Sequence, residues 1–217
     1  MRIVGFSDSH SYHNKLVIPD GDVLICAGDI TFSGEIPIVA SFCDWMKEQP
    51  HKHKICIAGN HEVGIERGYK RQPFLEAMRR ANIIYLENDI AEIDGINFYG
   101  SPITPAFMGW EFNRHRGKDI ADVWSKIPES TDILITHGPP YGILDKAPRG
   151  AGTYSNEGCQ DLLDRVWELP KLKAHFFGHI HRDNNEAPEE IADVKFCNVS
   201  ILNNAYNIHN DPVVIEI

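Results

Sequence analysis

Apolar positions along the chain follow two periods. Short, nearly continuous runs such as Ile3-Val4, Val23-Leu24-Ile25-Cys26-Ala27, Ile55-Cys56-Ile57-Ala58, Ile133-Leu134-Ile135 and Phe176-Phe177 have the character of strands covered on both faces. Together with weaker runs they predict strands over 2–7, 22–27, 54–58, 90–94, 96–100, 132–136, 174–177, 195–199 and 213–217. Asp94-Gly95, between two of these, predicts a hairpin with a tight type I′ turn. The second period is helical. Ile36, Val39, Cys43 and Met46 define one amphipathic stripe, and Phe74, Leu75 and Met78 a second. Ile120, Val123, Trp124 and Ile127 define a third, and Leu162, Leu163, Val166 and Trp167 a fourth, all expected to face a core. Strands alternate with helices early, while the middle holds a hairpin. The expected architecture is therefore mixed α/β, two packed sheets flanked by helices, in one domain over 1–217.

The strand runs share an ending. Ile3 to His10 ends in Asp8-Ser9-His10, Val23 to Asp29 in Gly28-Asp29, and Ile55 to Glu62 in Gly59-Asn60-His61-Glu62. Ile133 to Gly138 ends in Thr136-His137-Gly138, and Phe176 to His181 in Gly178-His179-Ile180-His181. Each places metal-capable side chains just past a strand. Ligands of open α/β sheets bind beyond the carboxyl ends of strands, so five such endings can converge on one site. Asp8 and His10, two residues apart on extended chain, can point to the same side. Asp29 has two carboxylate oxygens with which to bridge two cations. Asn60 adds an amide oxygen, and His137, His179 and His181 add imidazole nitrogens. This mixed oxygen and nitrogen set suits manganese, iron or zinc. Any one cluster alone reads as solvated turn residues; five clusters after five separate apolar runs read as a metal site.

Composition narrows the class. The 217 residues carry 42% hydrophobic and 24% charged residues, ordinary for a soluble globular protein, and a formal net charge of -10. That charge, with no Lys/Arg cluster, argues against a partner that is a nucleic-acid polymer. No apolar run approaches a membrane span, and Arg2-Ile3-Val4-Gly5-Phe6 enters a strand without room for a signal sequence, so no membrane association is expected. Cys26, Cys43, Cys56, Cys159 and Cys197 lack zinc or redox spacing and read as small buried hydrophobes in a reducing cytoplasm. His13, His51, His53, His115, His175 and His209 lie outside the strand endings and read as surface or hydrogen-bonded structural residues. His115 also admits a substrate role with Arg116, in the loop from Trp110 to Gly117. There an aromatic could stack a base and a guanidinium hold a phosphate, or Trp110 and Phe112 could simply pack the loop. Arg149 and Arg182 are similar, with Arg182 expected to be solvated or salt-bridged. The loops over 101–117 and 139–156, rich in Pro, Gly and aromatics, are long enough to be functional.

The order Asp-x-His, Gly-Asp, Gly-Asn-His-Glu, His-Gly, Gly-His-x-His resembles the calcineurin-like metallophosphoesterase superfamily over residues 8 to 181. The resemblance implies a four-layer β-sandwich flanked by helices and two divalent metal ions, with Mn2+ favoured over Fe, Zn or Mg. By matching positions it implies Asp8, His10, Asp29 and His181 at one ion, and Asp29, Asn60, His137 and His179 at the other. Asp29 would be the bridge and His61 a catalytic side chain. Two cations roughly 3.5–4 Å apart share and activate a hydroxide for in-line attack on a phosphoester. Protein Ser/Thr phosphatases of the superfamily continue Gly-Asp with Asp-Arg-Gly. Here Ile30-Thr31-Phe32-Ser33-Gly34 follows, which argues against protein substrates and puts Phe32 where those enzymes keep the acid that orients the histidine. Gly100-Ser101-Pro102, Trp110-Glu111-Phe112, Arg116-Gly117, Thr136-His137-Gly138-Pro139-Pro140, Asn198-Val199-Ser200, Tyr206 and Pro212 look like the small metallophosphoesterase-domain-containing phosphodiesterases. The implied function is hydrolysis of small phosphodiesters, cyclic nucleotides among them, with His61 catalytic and Asn60, Arg116 and His115 binding substrate. The rivals are a phosphomonoesterase or nuclease of the same fold, and a binding scaffold that has lost its chemistry.

Overall fold

Val4, Phe6, Leu24 and Cys26 leave their strands on one side and join an outer core. Ile3, Val23, Ile25 and Ala27 leave on the other and join an inner core. This period-two division, with both faces apolar, is why those segments read as continuous hydrophobic runs. The computed structural model describes residues 1–217. In chain order the strands are β1 (Arg2–Phe6), β2 (Val23–Cys26), β3 (His53–Cys56), β4 (Ile84–Tyr85), β5 (Asp89–Ile93), β6 (Ile96–Ser101), β7 (Thr104–Pro105) and β8 (Asn113–Arg114). There follow β9 (Ile133–Thr136), β10 (Lys146–Gly150), β11 (Thr153–Asn156), β12 (Ala174–Phe177), β13 (Glu189–Ile191), β14 (Val194–Asn198) and β15 (Val213–Glu216). The helices are α1 (Ile36–Glu48), α2 (Arg71–Arg80), α3 (Lys118–Trp124) and α4 (Gln160–Trp167).

The strands build a five-stranded sheet, order β15-β1-β2-β3-β4, and a six-stranded sheet, order β13-β14-β12-β9-β6-β5. In the first, β1 to β4 run parallel and β15 pairs antiparallel with β1. In the second, β6, β9, β12 and β14 run parallel, with antiparallel edges at β5 and β13. The inner core joins Ile25 and Ile55 of one sheet to Phe98, Ile133 and Phe176 of the other, so the sheets face each other. Outside lie α1 and α2, contributing Val39, Phe42, Met46, Phe74 and Met78, and α3 and α4, contributing Ile120, Trp124, Leu162 and Val166. The expected helix-flanked two-sheet sandwich is the observed one.

Most predicted elements are present with ends shifted by one or two residues. The Asp94-Gly95 hairpin forms with both turn residues in the left-handed region, φ 49° and 82°, as a type I′ turn requires. All five cysteines are free and buried. Four features went unpredicted: β4, the β7–β8 pair, the β10–β11 hairpin inside the expected loop, and the edge strand β13. All are short or polar, and β10, Lys-Ala-Pro-Arg-Gly, has no apolar alternation to reveal it. Trp167, expected in the core, is 47% exposed. It ends α4 and meets the core edge-on at Phe196, at 5.7 Å between ring centroids.

His175 on β12 is fully buried and donates through Nε2 to Thr136 Oγ, 2.7 Å away, while that hydroxyl donates to Gly138 O. Burial holds this imidazole down to about 3, against an ordinary value of 6.5. The folded state therefore keeps it neutral while the unfolded chain protonates below about pH 6.5, so its contribution to stability is intact above that pH and is lost as pH falls. The expected loss between pH 7 and 5 is about 2 kcal/mol. Urea unfolding of metal-free wild type and His175→Asn checks this. The stability gap between them should shrink by that amount on acidification, and a pH-independent gap would refute it.

Candidate metal centre and groove

β1, β2 and β3 in one sheet and β9 and β12 in the other end at the same rim of the sandwich. Asp8, Asp29, Asn60, His137 and His179 follow these five strand ends directly. The backbone there is strained. Asp8, His10, Asp29 and His179 have φ of 55°, 36°, 53° and 68°, a region that non-glycine residues seldom adopt and that clusters at functional sites. Glycine permits the close approach: a Cβ at Gly28 would stand 2.7 Å from Ala58 O and His137 Nδ1. A Cβ at Gly59 would collide with the Asp29 carboxylate.

The side chains converge. His137 Nε2 lies 3.3 Å and His10 Nε2 3.7 Å from Asp29 Oδ2, and His181 Nε2 lies 3.5 Å from Asp8 Oδ1. Asn60 Oδ1 is 2.9 Å from His137 Nε2. Asp8, His10 and His181 form one group whose ligand atoms lie within 4.8 Å of one another, and Asp29, His137 and His179 form another. His10, Asp29 and His61 make a third such group between them. Separations of 3.3–3.7 Å are those of donors sharing one cation at about 2.0–2.2 Å, longer than direct hydrogen bonds between the same atoms.

The ring nitrogens are oriented for ligation. His10 Nδ1–H donates to Thr31 O at 2.9 Å and His137 Nδ1–H to Ala27 O at 2.8 Å, which turns each Nε2 toward Asp29. His10 Nε2 is buried without a hydrogen-bond partner, an arrangement that costs desolvation unless a cation occupies the space in front of it. Asp8 receives the His179 N–H on both oxygens at 3.1 Å and the Ser7 hydroxyl on Oδ2. Asp29 Oδ1 accepts the His61 N–H at 2.9 Å. One carboxylate oxygen is thus committed to the backbone, and Oδ2 alone faces both histidine groups. The sequence reading expected Asp29 to offer its two oxygens to two cations; the oxygen turned toward both histidines is Oδ2.

Electrostatics follow from burial and mutual charge. Burial alone would raise the carboxyls of Asp8 and Asp29, but histidine hydrogen bonds and charges outweigh it and hold both well below the carboxylate range. Burial would lower His137, yet Asp29 holds it up to about 10, while burial brings His179 down to about 4. The carboxylates therefore offer two fixed negative charges among four imidazoles, a cage suited to cations.

Glu62, for which the sequence suggested no role, is fully buried behind this cage. Its Oε2 accepts Asp29 N–H at 3.0 Å and Gly59 N–H at 2.7 Å. Its Oε1 accepts Ile30 and Thr31 N–H, each at 3.0 Å, and the Thr31 hydroxyl at 3.1 Å. One carboxylate thus ties together the loops that carry Asp29 and Asn60-His61. The only sequence signal was an acid directly after the Asn-His pair.

What orients His61 is now visible: Nδ1 donates to the carbonyl of Phe32 at 2.8 Å. A backbone acceptor at position 32 replaces the acid that the phosphatases keep there. Trp110 packs against the His61 ring, 4.2 Å between centroids and tilted by 32°. Of the two loop aromatics, Phe112 is buried and packs the loop, whereas Trp110 faces a groove of about 440 Å³. Asp29, Asn60, His61, His179 and His181 line this groove, as do Phe107, Met108, Arg116, Arg149, Glu157 and Tyr206. Arg116 donates to the carbonyls of Glu157 and Gly158 and makes no ion pair. Arg149 is paired with Glu157. His115 is exposed and outside the lining, its backbone N–H bonded to Asp119. Arg182, expected to be solvated or salt-bridged, is 5% exposed and donates to Glu186 O, because it follows His181 into the protein.

Two facing sheets with metal-capable loops gathered at one rim define a metal-dependent phosphoesterase. The chain belongs to the calcineurin-like phosphoesterase family, whose model matches residues 1–183. It is 36% identical to human "Metallophosphoesterase domain-containing protein 1" over 237 residues, covering 100% of this chain and 71% of that one. It is 33% identical to "UPF0046 protein K07C11.7" of Caenorhabditis elegans, covering 100% of this chain and 75% of that one. Among solved structures, TT1561 of Thermus thermophilus superposes with a TM-score of 0.57 at 10% identity, covering 93% of this chain and 89% of that one; this likeness is one of fold.

Proposed function

We propose that residues 1–217 form one catalytic unit, a two-metal phosphodiesterase that hydrolyses small phosphodiesters, cyclic nucleotides among them. The observation that carries this reading is the pair of buried Asp/His groups meeting at Asp29 Oδ2 with His61 beside them at the groove. In this reading Asp8, His10, Asp29 and His181 hold one cation, and Asp29, Asn60, His137 and His179 the other. The donor set favours manganese, with iron, zinc or magnesium as alternatives. Bound there, the cations supply Lewis-acid activation of water and neutralise charge at the phosphoryl group. The protein's own part is to orient. Asn60 and Arg116 bind the phosphate, and His61 delivers a proton to the departing oxygen. A diester fits better than a monoester because Arg116 is the one arginine of the groove outside an ion pair while Phe107, Met108, Trp110 and Tyr206 offer apolar surface. A diester carries one negative charge and two organic groups; a monoester carries up to two charges and one organic group. Five free, buried thiols suit a reducing compartment such as the cytoplasm.

The test compares bis-p-nitrophenyl phosphate with p-nitrophenyl phosphate, with manganese added and metal content measured on the same preparation. The expected result is two metal ions per chain and a preference for the diester, with Asp29→Asn losing metal from both positions. Higher activity on the monoester would overturn the diesterase assignment, and full metal occupancy in Asp29→Asn would overturn the shared ligand.

A further inference from the structure

The groove holds a row of rings. Trp110 packs against His61 at 4.2 Å, and His61 meets His10 edge-on at 4.6 Å. His10 in turn lies 5.2 Å from Tyr206, which also meets His181 at 4.7 Å and has Phe32 behind it at 6.2 Å and 29°. The two ends of the row, Trp110 and Tyr206, both line the groove, with the histidines between them.

Both ends are held in place by their own supports. Tyr206 has φ 59°, a conformation unfavourable for a bulky side chain. A turn imposes it. Asn203 Oδ1 accepts the N–H groups of Ala205 and Asn207 at 3.1 and 3.0 Å, Asn203 N–H donates to Asn207 O, and Tyr206 N–H donates to Asn203 O. The ring so presented remains 43% exposed, which packing alone would not require. Trp110 is fixed through Glu111, whose N–H donates to Asn60 O at 3.3 Å and whose buried carboxylate pairs with Arg67 Nε at 2.7 Å. Arg67 also donates to Gly109 O at 3.0 Å. A rigid aromatic surface thus stands on either side of the metal cage.

From this arrangement we infer that Trp110 and Tyr206 are specificity residues for the two organic arms of the substrate, Trp110 for the arm that leaves and Tyr206 for the arm that stays on phosphorus. The inference rests on the diesterase reading. In hydrolysis the oxygen of water bonds to phosphorus and gives up one proton to solvent, the bond from phosphorus to the leaving oxygen breaks, and that oxygen takes a proton. His61 is the donor at hand, so the leaving arm lies over His61 and against Trp110. The retained arm then points along the row, toward Tyr206. A planar arm at each end gains stacking contact, as bases do on aromatic side chains.

Two diesters with the same leaving group separate the ends: bis-p-nitrophenyl phosphate, with an aromatic retained arm, and methyl p-nitrophenyl phosphate, with a methyl there. Tyr206→Ala should reduce the wild-type preference for the first over the second by about tenfold, and Tyr206→Phe should restore it. Trp110→Ala should lower kcat/KM on both by a similar factor and leave the preference alone. Binding of diphenyl phosphate and of methyl phenyl phosphate, by calorimetry on metal-loaded protein of measured metal content, gives a readout without turnover. Tyr206→Ala should weaken the first and spare the second. If either variant scales both substrates and both ligands equally through lost metal, its ring is structural and that assignment fails. If wild type hydrolyses neither diester, the diesterase reading fails while the binding arm still decides between the two rings and a merely structural role.

Discussion

Replacing Glu62 by alanine is expected to destabilise the protein by about 4 kcal/mol and to strip metal from what remains folded. The reason lies in what the carboxylate holds. Four backbone N–H groups and one hydroxyl converge on it from Gly59, Asp29, Ile30 and Thr31, and the residue is inaccessible to solvent. Burial and the nearby Asp29 charge push this carboxyl up, and the N–H donors pull it back. Every group facing it is a donor, so the ionised form is the one the pocket accommodates. Truncation leaves those donors unsatisfied in a cavity, and each such donor costs about 1–3 kcal/mol, less when several share an entering water. Because Asp29 and Asn60 ride on the loops so released, metal affinity should fall with stability. Glu62→Gln should recover only part of both, since its oxygen can serve Ile30 and Thr31 while its NH2 then opposes the N–H groups of Asp29 and Gly59. Denaturant unfolding with and without chelator, beside elemental analysis, measures the two effects. A shift below about 1 kcal/mol with full metal would show that Glu62 is not the tie.

Glu62 also marks where the sequence stops being informative. The strand endings were legible because a metal site assembled from parallel strands must place its donors just past apolar runs, and Asp8, Asp29, Asn60, His137 and His179 all do so. Which atom each donor uses was not legible. That Asp29 presents only Oδ2 depends on the His61 N–H across the rim, a contact between residues 32 positions apart. The partner of His61 was hidden for a related reason: it is the carbonyl of Phe32, and every residue type carries a carbonyl. The loop 101–117 carried too many aromatics for sequence alone to sort. Phe112 is buried and Trp110 faces the groove because the chain between them is pinned by Glu111, which shows only in three dimensions. The polar β10–β11 hairpin, which brings Arg149 to the groove, has no hydrophobic face and so no periodicity.

His61→Ala is expected to lower turnover by about 10²- to 10⁴-fold while leaving both metals bound. In the proposed assignment His61 is no ligand. Its Nδ1 is committed to Phe32 O and its ring is clamped against Trp110, so the side chain can be removed without disturbing Asp29 Oδ2 or the other donors. Its backbone N–H, which holds Asp29 Oδ1, survives the substitution. How the loss is distributed across substrates then distinguishes two roles. A proton donor matters most when the departing oxygen is strongly basic and least when it is already a stable anion. The alanine variant should therefore lose more on an alkyl leaving group than on p-nitrophenolate, with metal content unchanged. A side chain that served only to stabilise charge on the phosphoryl group would cost both leaving groups the same factor. Equal losses would thus keep His61 at the reacting centre but take the proton from it, and undiminished turnover would remove it from the chemistry altogether.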